Sequence, residues 1–326
     1  MTAPLVSVLI PCFNAERFVG AALESVLAQT YRPIEVIVVD DNSTDNSASV
    51  IAEYTARGVK TLAAKRTGAA AARNQAFLAS TGQFVIFLDA DDAIIETHVA
   101  ALVDRIAGSE AKLAMGPWGR FNRDPAECAF PLRRSYREAT GPEWLVADWA
   151  EGQAMTQCGQ FLIPRGLLEK AGGWDESLTV LDDFEFFARL MVHSAGVLFA
   201  PKAGLCYRIV SGSLSQKSSP VGNRSAVHSL VLGTGHLLAV DSSAASRLAC
   251  ANMLKTLDYA FYPYEPALRQ QLRQRIADLG GSSLAPTGPP AFQKLRRWIG
   301  WKAARRLQLA AQRFGLNRAA RQPRAR

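Results

Sequence analysis

The amino-acid sequence predicts an α/β protein with a doubly wound, mostly parallel sheet flanked by helices, followed by a C-terminal helical extension. Two observations predict this class. Short, near-continuous apolar runs such as Val6–Ile10 and Ile34–Val39 alternate with helical patterns, as buried parallel strands do. Acidic clusters directly follow two of the runs, at Asp40–Asp45 and Asp89–Asp92, which is the sheet edge where such proteins bind ligands.

The first hundred residues are expected to alternate strictly between strand and helix. Val6–Ile10 forms the first strand, and Asn14 caps a helix whose apolar positions recur at helical spacing from Phe18 to Leu27. The next elements are a strand at 34–39, a helix at 47–57, a strand at 59–62, a helix at 69–80 and a strand at 84–88. Beyond them, short strands and helices interleave between 112 and 210, and residues 224–279 are predicted to be helical.

The net charge of +8 is concentrated at one end of the chain. Residues 294–326 contain eleven Lys or Arg and no Asp or Glu, so subtracting them leaves residues 1–293 mildly acidic. The main body is therefore not expected to bind nucleic acid. A Gly-, Ser- and Pro-rich linker at 280–290 completes the predicted organisation: a main domain at 1–220, a helical extension at 221–279 and a basic tail at 291–326.

The basic tail has the pattern of an amphipathic helix. Apolar side chains recur at helical spacing from Phe292 to Phe314, Trp298 and Trp301 flank them, and Lys and Arg occupy most other positions. This composition favours a helix on an anionic membrane surface, and a helix docked on the main domain is the alternative. The tail is not expected to bind nucleic acid.

The N-terminal residues lack the basic segment of a signal peptide, and five scattered cysteines form no metal-binding or disulfide pattern. We therefore expect reduced core thiols and a cytoplasmic location, peripheral to the cytoplasmic face of the membrane where the tail binds it.

The pair Asp89 and Asp91 is a candidate metal site. Residues i and i+2 of an extended segment point the same way, so both carboxylates can face one ligand. Hard oxygen donors of this kind suit Mg²⁺ or Mn²⁺ with phosphate oxygens completing the coordination, whereas an acidic turn before a helix is the structural alternative. Asp40 and Asp41, at the end of the neighbouring strand, can accept hydrogen bonds from a base or a ribose, or can simply form a turn.

Five segments in series closely resemble family 2 glycosyltransferases, over roughly residues 5–215. They are Val6–Asn14, Leu23–Thr30, Glu35–Asp45, Gly68–Asn74 and Phe87–Asp92. The resemblance implies a Rossmann-like GT-A fold and transfer of a sugar from a nucleotide-diphosphate donor, with inversion at the anomeric carbon. It also implies a glycan or lipid-linked acceptor, in cell-envelope polysaccharide synthesis.

The resemblance also implies roles for individual residues. Asp89 and Asp91 match the DxD motif that binds the divalent cation on the donor diphosphate, and Asp92 follows it as a further metal or ribose contact. Asp41, with Asp40 beside it, matches the position that binds the base, which in this family favours UDP. The other matched donor-site residues are Pro11, Phe13, Asn14 and Arg73. Arg73 is placed where a cation can contact base or phosphate, and a plain surface ion pair is the structural alternative.

The general base is predicted to be Asp183. The segment 181–189 resembles the family's acidic motif at a helix start, in which Asp183 falls on the position of the base and Asp182 is the second choice. An acidic residue that only stabilises the helix N-terminus is the structural alternative.

The sequence departs from the family pattern in places, and other function classes lack their own motifs here. Ile209 and Val210 follow Tyr207–Arg208 where relatives often have a histidine, so no histidine role carries over. A nucleotidyltransferase needs a Gly-rich phosphate loop after the first strand, which 11–16 is not, and no dinucleotide-binding glycine motif follows a strand. A non-catalytic relative that only binds sugar nucleotides is the remaining alternative.

Overall fold

A computed structural model describes residues 3–154, 156–210 and 219–313. The strands are β1 (Val6–Cys12), β2 (Ile34–Asp40), β3 (Val59–Ala63), β4 (Phe84–Phe87), β5 (Ala93–Ile94), β6 (Leu113–Met115), β7 (Trp118–Phe121), β8 (Phe161–Pro164), β9 (Val197–Phe199) and β10 (Leu205–Arg208). The helices are α1 (Val19–Leu27), α2 (Ser47–Ala52), α3 (Ala69–Leu78), α4 (His98–Ile106), α5 (Gly141–Trp149), α6 (Arg165–Ala171), α7 (Asp182–His193), α8 (Pro220–Val240), α9 (Ala244–Phe261), α10 (Pro266–Asp278) and α11 (Pro290–Arg313).

Seven of the described strands form one sheet in the order β3-β2-β1-β4-β8-β6-β9. β1 pairs in parallel with both β2 and β4, and β8 alone runs antiparallel to its neighbours β4 and β6. β1 has a neighbour on each side and packs its Val6, Val8 and Ile10 against α1. β1 is buried along nearly its whole length, which explains its near-continuous apolar sequence. The predicted mostly parallel α/β sheet with flanking helices is confirmed.

The order of the central strands determines where the polar loops gather. Because β1 lies between β2 and β4 and all three are parallel, the loops that follow them emerge at the same edge of the sheet. A smaller sheet, in the order β5-β10-β7, continues from this edge, since β5 begins at Ala93, directly after the second acidic cluster.

Two local predictions were wrong. Asn14 does not cap the first helix: α1 begins at Val19, and the Asn14 side chain instead accepts a hydrogen bond at 2.7 Å from the backbone N–H of Thr44. The helix expected at 47–57 is two elements, because α2 ends at Ala52 and a separate 3₁₀ turn follows at Thr55–Arg57. Gly58, at φ 89°, then turns the chain into β3 in a conformation that favours glycine.

The chain divides into two compact units. One unit contains both sheets and runs as far as residue 148 and then from 154 to 246. The other comprises residues 149–153 and those from 247 onward. α8 therefore belongs with the sheets, so this division does not coincide with the boundary expected after residue 220. The expected linker at 280–290 lies between the end of α10 and the start of α11.

The tail is helical, but its apolar stripe is interrupted. Gly300 has a left-handed φ of 75° inside α11, which breaks the helical projection at that point. Trp301 packs edge-on against Tyr259 and Tyr262 of the same unit, with ring centroids 4.8 and 4.9 Å apart. Trp298, by contrast, is 87% exposed. Phe314 and the basic residues after Arg313 lie outside the described residues, and no described helix is both long and apolar enough to span a membrane.

Candidate active site

Four segments meet at the carboxyl edge of the larger sheet: the loops after β1, β2 and β4, and the first turn of α7. A single side chain, Arg73 of α3, contacts two of them. Its Nη2 donates to Asp89 Oδ1 at 2.7 Å, and its Nη1 donates to Asp182 Oδ2 at 2.8 Å. Residues far apart in sequence are thereby brought to one site.

Asp41 lies in the first part of this site and is nearly buried. Its Oδ2 accepts a hydrogen bond from the backbone N–H of Gly68 at 2.8 Å, whereas its Oδ1 is buried with no hydrogen-bond partner. A buried carboxylate oxygen without a partner costs free energy unless a donor reaches it. Asp41 is therefore suited to bind an N–H or O–H group of a ligand.

The loops after β1 and β2 are tied together beside Asp41. Ser43 accepts a hydrogen bond from the backbone N–H of Asn14 at 3.0 Å and donates one to the Asp40 carboxylate. Pro11 is partly buried at the end of β1, while Phe13 keeps 53% of its surface exposed. The two loops thus place the exposed ring of Phe13 next to the polar groups of Asp40 and Ser43.

Arg73 is almost completely buried, which sequence reasoning did not indicate. Its guanidinium lies 4.3 Å from the ring centroid of Trp174, in addition to its two ion pairs. A charge buried this deeply needs paired carboxylates to offset the lost hydration. Asp89 and Asp182 supply them, so Arg73 holds the acidic loop after β4 against the start of α7 rather than pointing to solvent.

Trp174 is a site residue that the sequence analysis missed. Asn74 of α3 fixes its backbone by two hydrogen bonds: Asn74 Oδ1 accepts from the backbone N–H of Trp174 at 2.8 Å, and Asn74 Nδ2 donates to the Trp174 carbonyl at 2.9 Å. The indole stacks on Phe186 of α7, with ring centroids 3.9 Å apart and planes 8° from parallel. The adjacent Arg73–Asn74 pair was the available signal, since Arg73 lies over the Trp174 ring and Asn74 binds the Trp174 backbone.

The acidic loop 89–92 is held by Arg208 from β10. The Arg208 backbone N–H donates to Asp92 Oδ1 at 2.9 Å, and its Nε donates to the Asp91 carbonyl at 2.8 Å. Burial and the charge of Asp89 raise the pKa of Asp91 to about 6, and burial with the charges of Asp89 and Asp91 raises the pKa of Asp92 well above its usual range. Asp92 faces the protein interior, whereas Asp89 and Asp91 retain exposed surface.

The donor set of this loop fits a divalent cation. Asp89 and Asp91 offer carboxylate oxygens, the ligands that Mg²⁺ and Mn²⁺ prefer, and the mutual repulsion of the carboxylates is what a bound cation would relieve. The described residues hold no group of three or more His, Cys, Asp or Glu arranged as a full metal site. The remaining ligands would have to come from a bound molecule or water.

Asp183 lies in the first turn of α7, next to the ion pair of Arg73 and Asp182. Its Oδ1 accepts a hydrogen bond from the N–H of Phe184 at 2.8 Å. Burial and the charge of Asp182 raise its pKa to about 7. A carboxylate whose pKa lies near neutral pH can both take up and release a proton under ordinary conditions, as a general base must.

A profile of glycosyl transferase family 2 matches residues 7–170, half of the chain. That segment contains the loops after β1, β2 and β4 together with Arg73 and Asn74. The chain belongs to glycosyl transferase family 2.

Known relatives carry glycosyltransferase names. GlyA of Streptococcus pneumoniae serotype 4 is 26% identical over 290 residues, 86% of this chain and 39% of that protein. WfgD of Escherichia coli, a UDP-Glc:alpha-D-GlcNAc-diphosphoundecaprenol beta-1,3-glucosyltransferase, is 34% identical over 121 residues, 37% of this chain and 48% of that protein. The chain thus spans less than half the length of either relative.

Solved structures resemble this chain in fold. Staphylococcus aureus TarS 1–349 in complex with UDP-GlcNAc matches with a TM-score of 0.65 at 18% identity, over 84% of this chain and 80% of that one. The GT-A type fold expected from the sequence is thereby confirmed.

The support of α7 extends beyond the segment that matches the family profile. Ser225 and Ser229 of α8 bind the loop before α7: Ser225 Oγ accepts from the Thr179 N–H at 2.8 Å, and the Ser229 hydroxyl donates to the Leu181 carbonyl at 2.5 Å. Leu181 has a left-handed φ of 58°, an uncommon conformation for a leucine, at the start of the helix. These two hydroxyls therefore fix the turn that positions Asp183.

A second charged cluster, centred on Glu185, also holds the first turn of α7. Glu185 is buried, and its carboxylate accepts hydrogen bonds from Arg189 at 2.7 and 3.0 Å and contacts His236 Nε2 at 2.9 Å. Burial alone would raise the pKa of Glu185, but these partners hold it at about 2. Arg189 also donates to the carbonyl of Gly173, directly before Trp174. His236 was assigned no role from the sequence, because nothing in its local pattern indicates a partner on α7.

Proposed function

We propose that this family 2 member is a metal-dependent, inverting glycosyltransferase. It transfers a sugar from a nucleotide-diphosphate donor, a UDP-sugar, to a hydroxyl of a glycan or lipid-linked acceptor in cell-envelope polysaccharide synthesis. The observation that carries the proposal is the double ion pair of Arg73, which joins the Asp89 carboxylate to the start of the helix that bears Asp183. Cation ligands and a base are thus expected at one reaction centre.

The donor nucleotide is assigned to the pocket around Asp41. The unpartnered Oδ1 would accept a hydrogen bond from an N–H of the base, and the exposed ring of Phe13 offers a surface for stacking. Pro11, Asn14 and Asp40 shape the same pocket. The UDP-GlcNAc complex of TarS and the UDP-Glc donor in the name of WfgD support a uridine nucleotide for this chain.

Asp89 and Asp91 would hold Mn²⁺ or Mg²⁺ against the donor diphosphate, with Asp92 buried behind them to shape the loop. A bound divalent cation supplies electrostatic stabilisation of the negative charge that develops on a diphosphate leaving group. In this arrangement Arg73 keeps Asp89 oriented and does not itself bind the diphosphate, which revises the phosphate or base contact expected from the resemblance.

Asp183 is the proposed general base. Direct displacement with inversion needs one group that removes the proton of the acceptor hydroxyl as it attacks the anomeric carbon. The pKa of about 7 suits that task, and the N–H of Phe184 orients one carboxylate oxygen, which leaves the other for the acceptor. Asp182, already paired with Arg73, is the less suitable base.

The acceptor side is assigned to the small sheet next to the acidic loop. Two guanidinium groups lie around Trp118 of β7, that of Arg133 at 4.2 Å and that of Arg120 at 5.5 Å from the ring centroid. Such a cationic surface suits an acceptor that carries phosphate. The diphosphoundecaprenol acceptor in the name of WfgD is of this chemical class.

The decisive experiment is a screen of UDP-, GDP- and dTDP-sugars with Mn²⁺, first for thermal stabilisation and then for donor hydrolysis. We expect a UDP-sugar to raise the melting temperature and to be hydrolysed slowly, with both effects lost on chelation of the metal. If no donor stabilises the protein with or without metal, the enzyme proposal is wrong. Stabilisation without hydrolysis or transfer would indicate a non-catalytic sugar-nucleotide-binding protein.

The base assignment has its own test. Asp183→Asn should reduce transfer by about 10³-fold or more, since the amide cannot accept the proton, while donor affinity stays within about twofold. Asp175→Asn is the matched control, because Asp175 binds the nearby Ser177 N–H at 2.9 Å and should be dispensable for catalysis. Loss of donor binding in Asp183→Asn would contradict its assignment as the base.

We further propose that α11 attaches the protein to the cytoplasmic face of an anionic membrane. Trp298, Ile299 and Leu307 are exposed, and the helix carries only basic charges. Trp298→Ser should weaken flotation with vesicles that contain anionic phospholipid by about tenfold, whereas Leu132→Ser, at a 94% exposed leucine outside the tail, should not. Equal loss in both variants, or no vesicle binding by the wild type, would overturn the proposal.

A further inference from the structure

Cys128 and Cys206 meet on one face of the small sheet, close to the acidic loop 89–92. Cys206 lies in β10, two residues before Arg208, and Cys128 directly follows the 3₁₀ turn Pro125–Glu127. Both side chains pack in the same small apolar cluster. The chemistry assigned to the site above uses neither thiol.

The strand register places the two sulfurs on the same side. Cys206 is the parallel partner of Gly119 in β7, so the Cα–Cβ directions at these two positions point to the same face of the sheet. A Cβ built on Gly119 would lie 2.8 Å from the Cys128 sulfur. The Cys128 sulfur therefore lies over the face toward which Cys206 points, and adjacent strands are only about 4.8 Å apart. The missing side chain of Gly119 leaves the space in which the thiols meet.

The two thiols differ in reactivity. Cys206 has no exposed surface, whereas Cys128 is partly exposed. Hydrogen bonds from the Cys206 thiol and the Gly119 N–H lower the pKa of Cys128, and the same contact together with burial raises the pKa of Cys206. An accessible thiol with a stabilised thiolate beside a buried one is the arrangement of an attacking and a resolving cysteine.

We propose that Cys128 and Cys206 form a reversible disulfide on exposure to a low-molecular-weight disulfide such as oxidised glutathione, and that this disulfide weakens the adjacent donor site. The Cys128 thiolate attacks one sulfur of the oxidant and expels one glutathione thiolate. Cys206 then attacks the Cys128 sulfur of the mixed disulfide and expels the second. The two protein thiols lose two electrons and two protons, and the oxidant leaves as two glutathione thiols.

The effect on the donor site follows from the contacts of β10. A disulfide shortens the sulfur–sulfur separation to about 2.05 Å, so Cys206 and Cys128 must move toward each other, and part of that movement falls on β10. Two residues further on, the backbone N–H of Arg208 binds Asp92 and its Nε binds the Asp91 carbonyl, while its Nη1 lies 3.5 Å from the carbonyl of Arg123. A displacement of β10 is therefore transmitted to the carboxylates of the acidic loop.

The experiment treats the full-length protein with oxidised glutathione, alkylates the remaining thiols and maps the cysteine peptides by mass spectrometry. We expect a Cys128–Cys206 disulfide in the wild type that dithiothreitol reverses. Cys206→Ala should instead accumulate a glutathione adduct on Cys128, and Cys128→Ser should stay unmodified at Cys206. Cys250→Ala, at a buried cysteine in the other unit, is the matched control and should behave as the wild type. A stable adduct on wild-type Cys128, or alkylation of both thiols after oxidation, would overturn the proposal.

The link to the donor site rests on the proposed function and is measured separately, as the affinity for UDP with Mn²⁺ before oxidation, after oxidation and after reduction. We expect oxidation to weaken binding about threefold or more and reduction to restore it. An unchanged affinity in the fully oxidised protein would overturn this link. Failure of the reduced protein to bind any nucleotide would instead count against the proposed function, and the disulfide mapping is independent of that result.

Discussion

Two buried arginines, Arg73 in one unit of the chain and Arg269 in the other, have similar local surroundings. Each is 6% exposed, and each lies over an aromatic ring, Arg73 at 4.3 Å from Trp174 and Arg269 at 4.6 Å from Tyr262. Each also leaves one buried guanidinium nitrogen without a partner. By side-chain environment alone the two would be difficult to tell apart.

Their carboxylate partners distinguish them. Arg269 pairs with Asp258, eleven residues away on the adjoining helix, and Asp258 has a second cation in Arg273 at 3.3 Å. Arg73 pairs with two carboxylates, of which Asp182 is 109 residues away, and both belong to the candidate active site. The comparison teaches that a buried arginine indicates function when it joins carboxylates from distant segments, and packing when it joins neighbouring helices.

Of the two arginines, the larger effect is expected from Arg73→Met. Removing the guanidinium leaves Asp89 and Asp182 close together without a counter-charge, which we expect to lower the free energy of unfolding by about 3–5 kcal/mol and transfer by about 10²-fold or more. Arg73→Lys keeps the charge but has a single ammonium, and should restore stability more than activity because one ammonium orients two carboxylates poorly. Thermal unfolding and kcat/KM measure the two effects. Equal recovery of both in Arg73→Lys would mean that the positive charge alone suffices and that orienting the two carboxylates does not contribute to transfer.

The second expected effect is that kcat/KM depends on pH through the protonation of Asp183. Asp183 must be deprotonated to act as a base, and its pKa is about 7. Its deprotonated fraction, and with it kcat/KM, should therefore fall by about tenfold for each pH unit below 7 and level off above it. A rate profile with donor saturation checked at each pH measures this, and a flat profile between about pH 5 and 8 would contradict the role of Asp183.

The smallest effect on activity is expected from Arg269→Met. Asp258 keeps Arg273 as a partner, so the loss of stability should be about 1–3 kcal/mol, with kcat/KM within about twofold of the wild type. Thermal unfolding combined with the transfer assay checks it. A loss of transfer comparable to that in Arg73→Met would remove the distinction between the two arginines.

The sequence predicted the sheet well because its signals are local. The apolar runs of β1, β2 and β4 are short, near-continuous and rich in β-branched residues, which indicates strands buried on both faces. The acidic residues at their ends follow from the parallel topology. Asp89, Asp91 and Asp41 were therefore predictable as members of one edge of the sheet before any contact was known.

The remaining features depend on partners far along the chain. Asn14 has the sequence position of a helix cap, but its side chain accepts a hydrogen bond from the backbone N–H of Thr44 instead. Arg73 looks like a surface cation, and only the distant Asp182 and Trp174 explain its burial. His236 binds Glu185 across 51 positions, which no local pattern encodes.

The serines of α8 have a consequence for exchanging parts between relatives. Ser225 and Ser229 lie well beyond residue 170, where the family match ends, yet they hold the turn that presents Asp183. A chimaera joined at the end of the family match would pair the proposed donor half of one protein with a foreign support for the proposed base. A junction after Val240, where α8 ends, keeps the proposed nucleotide pocket, the acidic loop and Asp183 on one inherited piece.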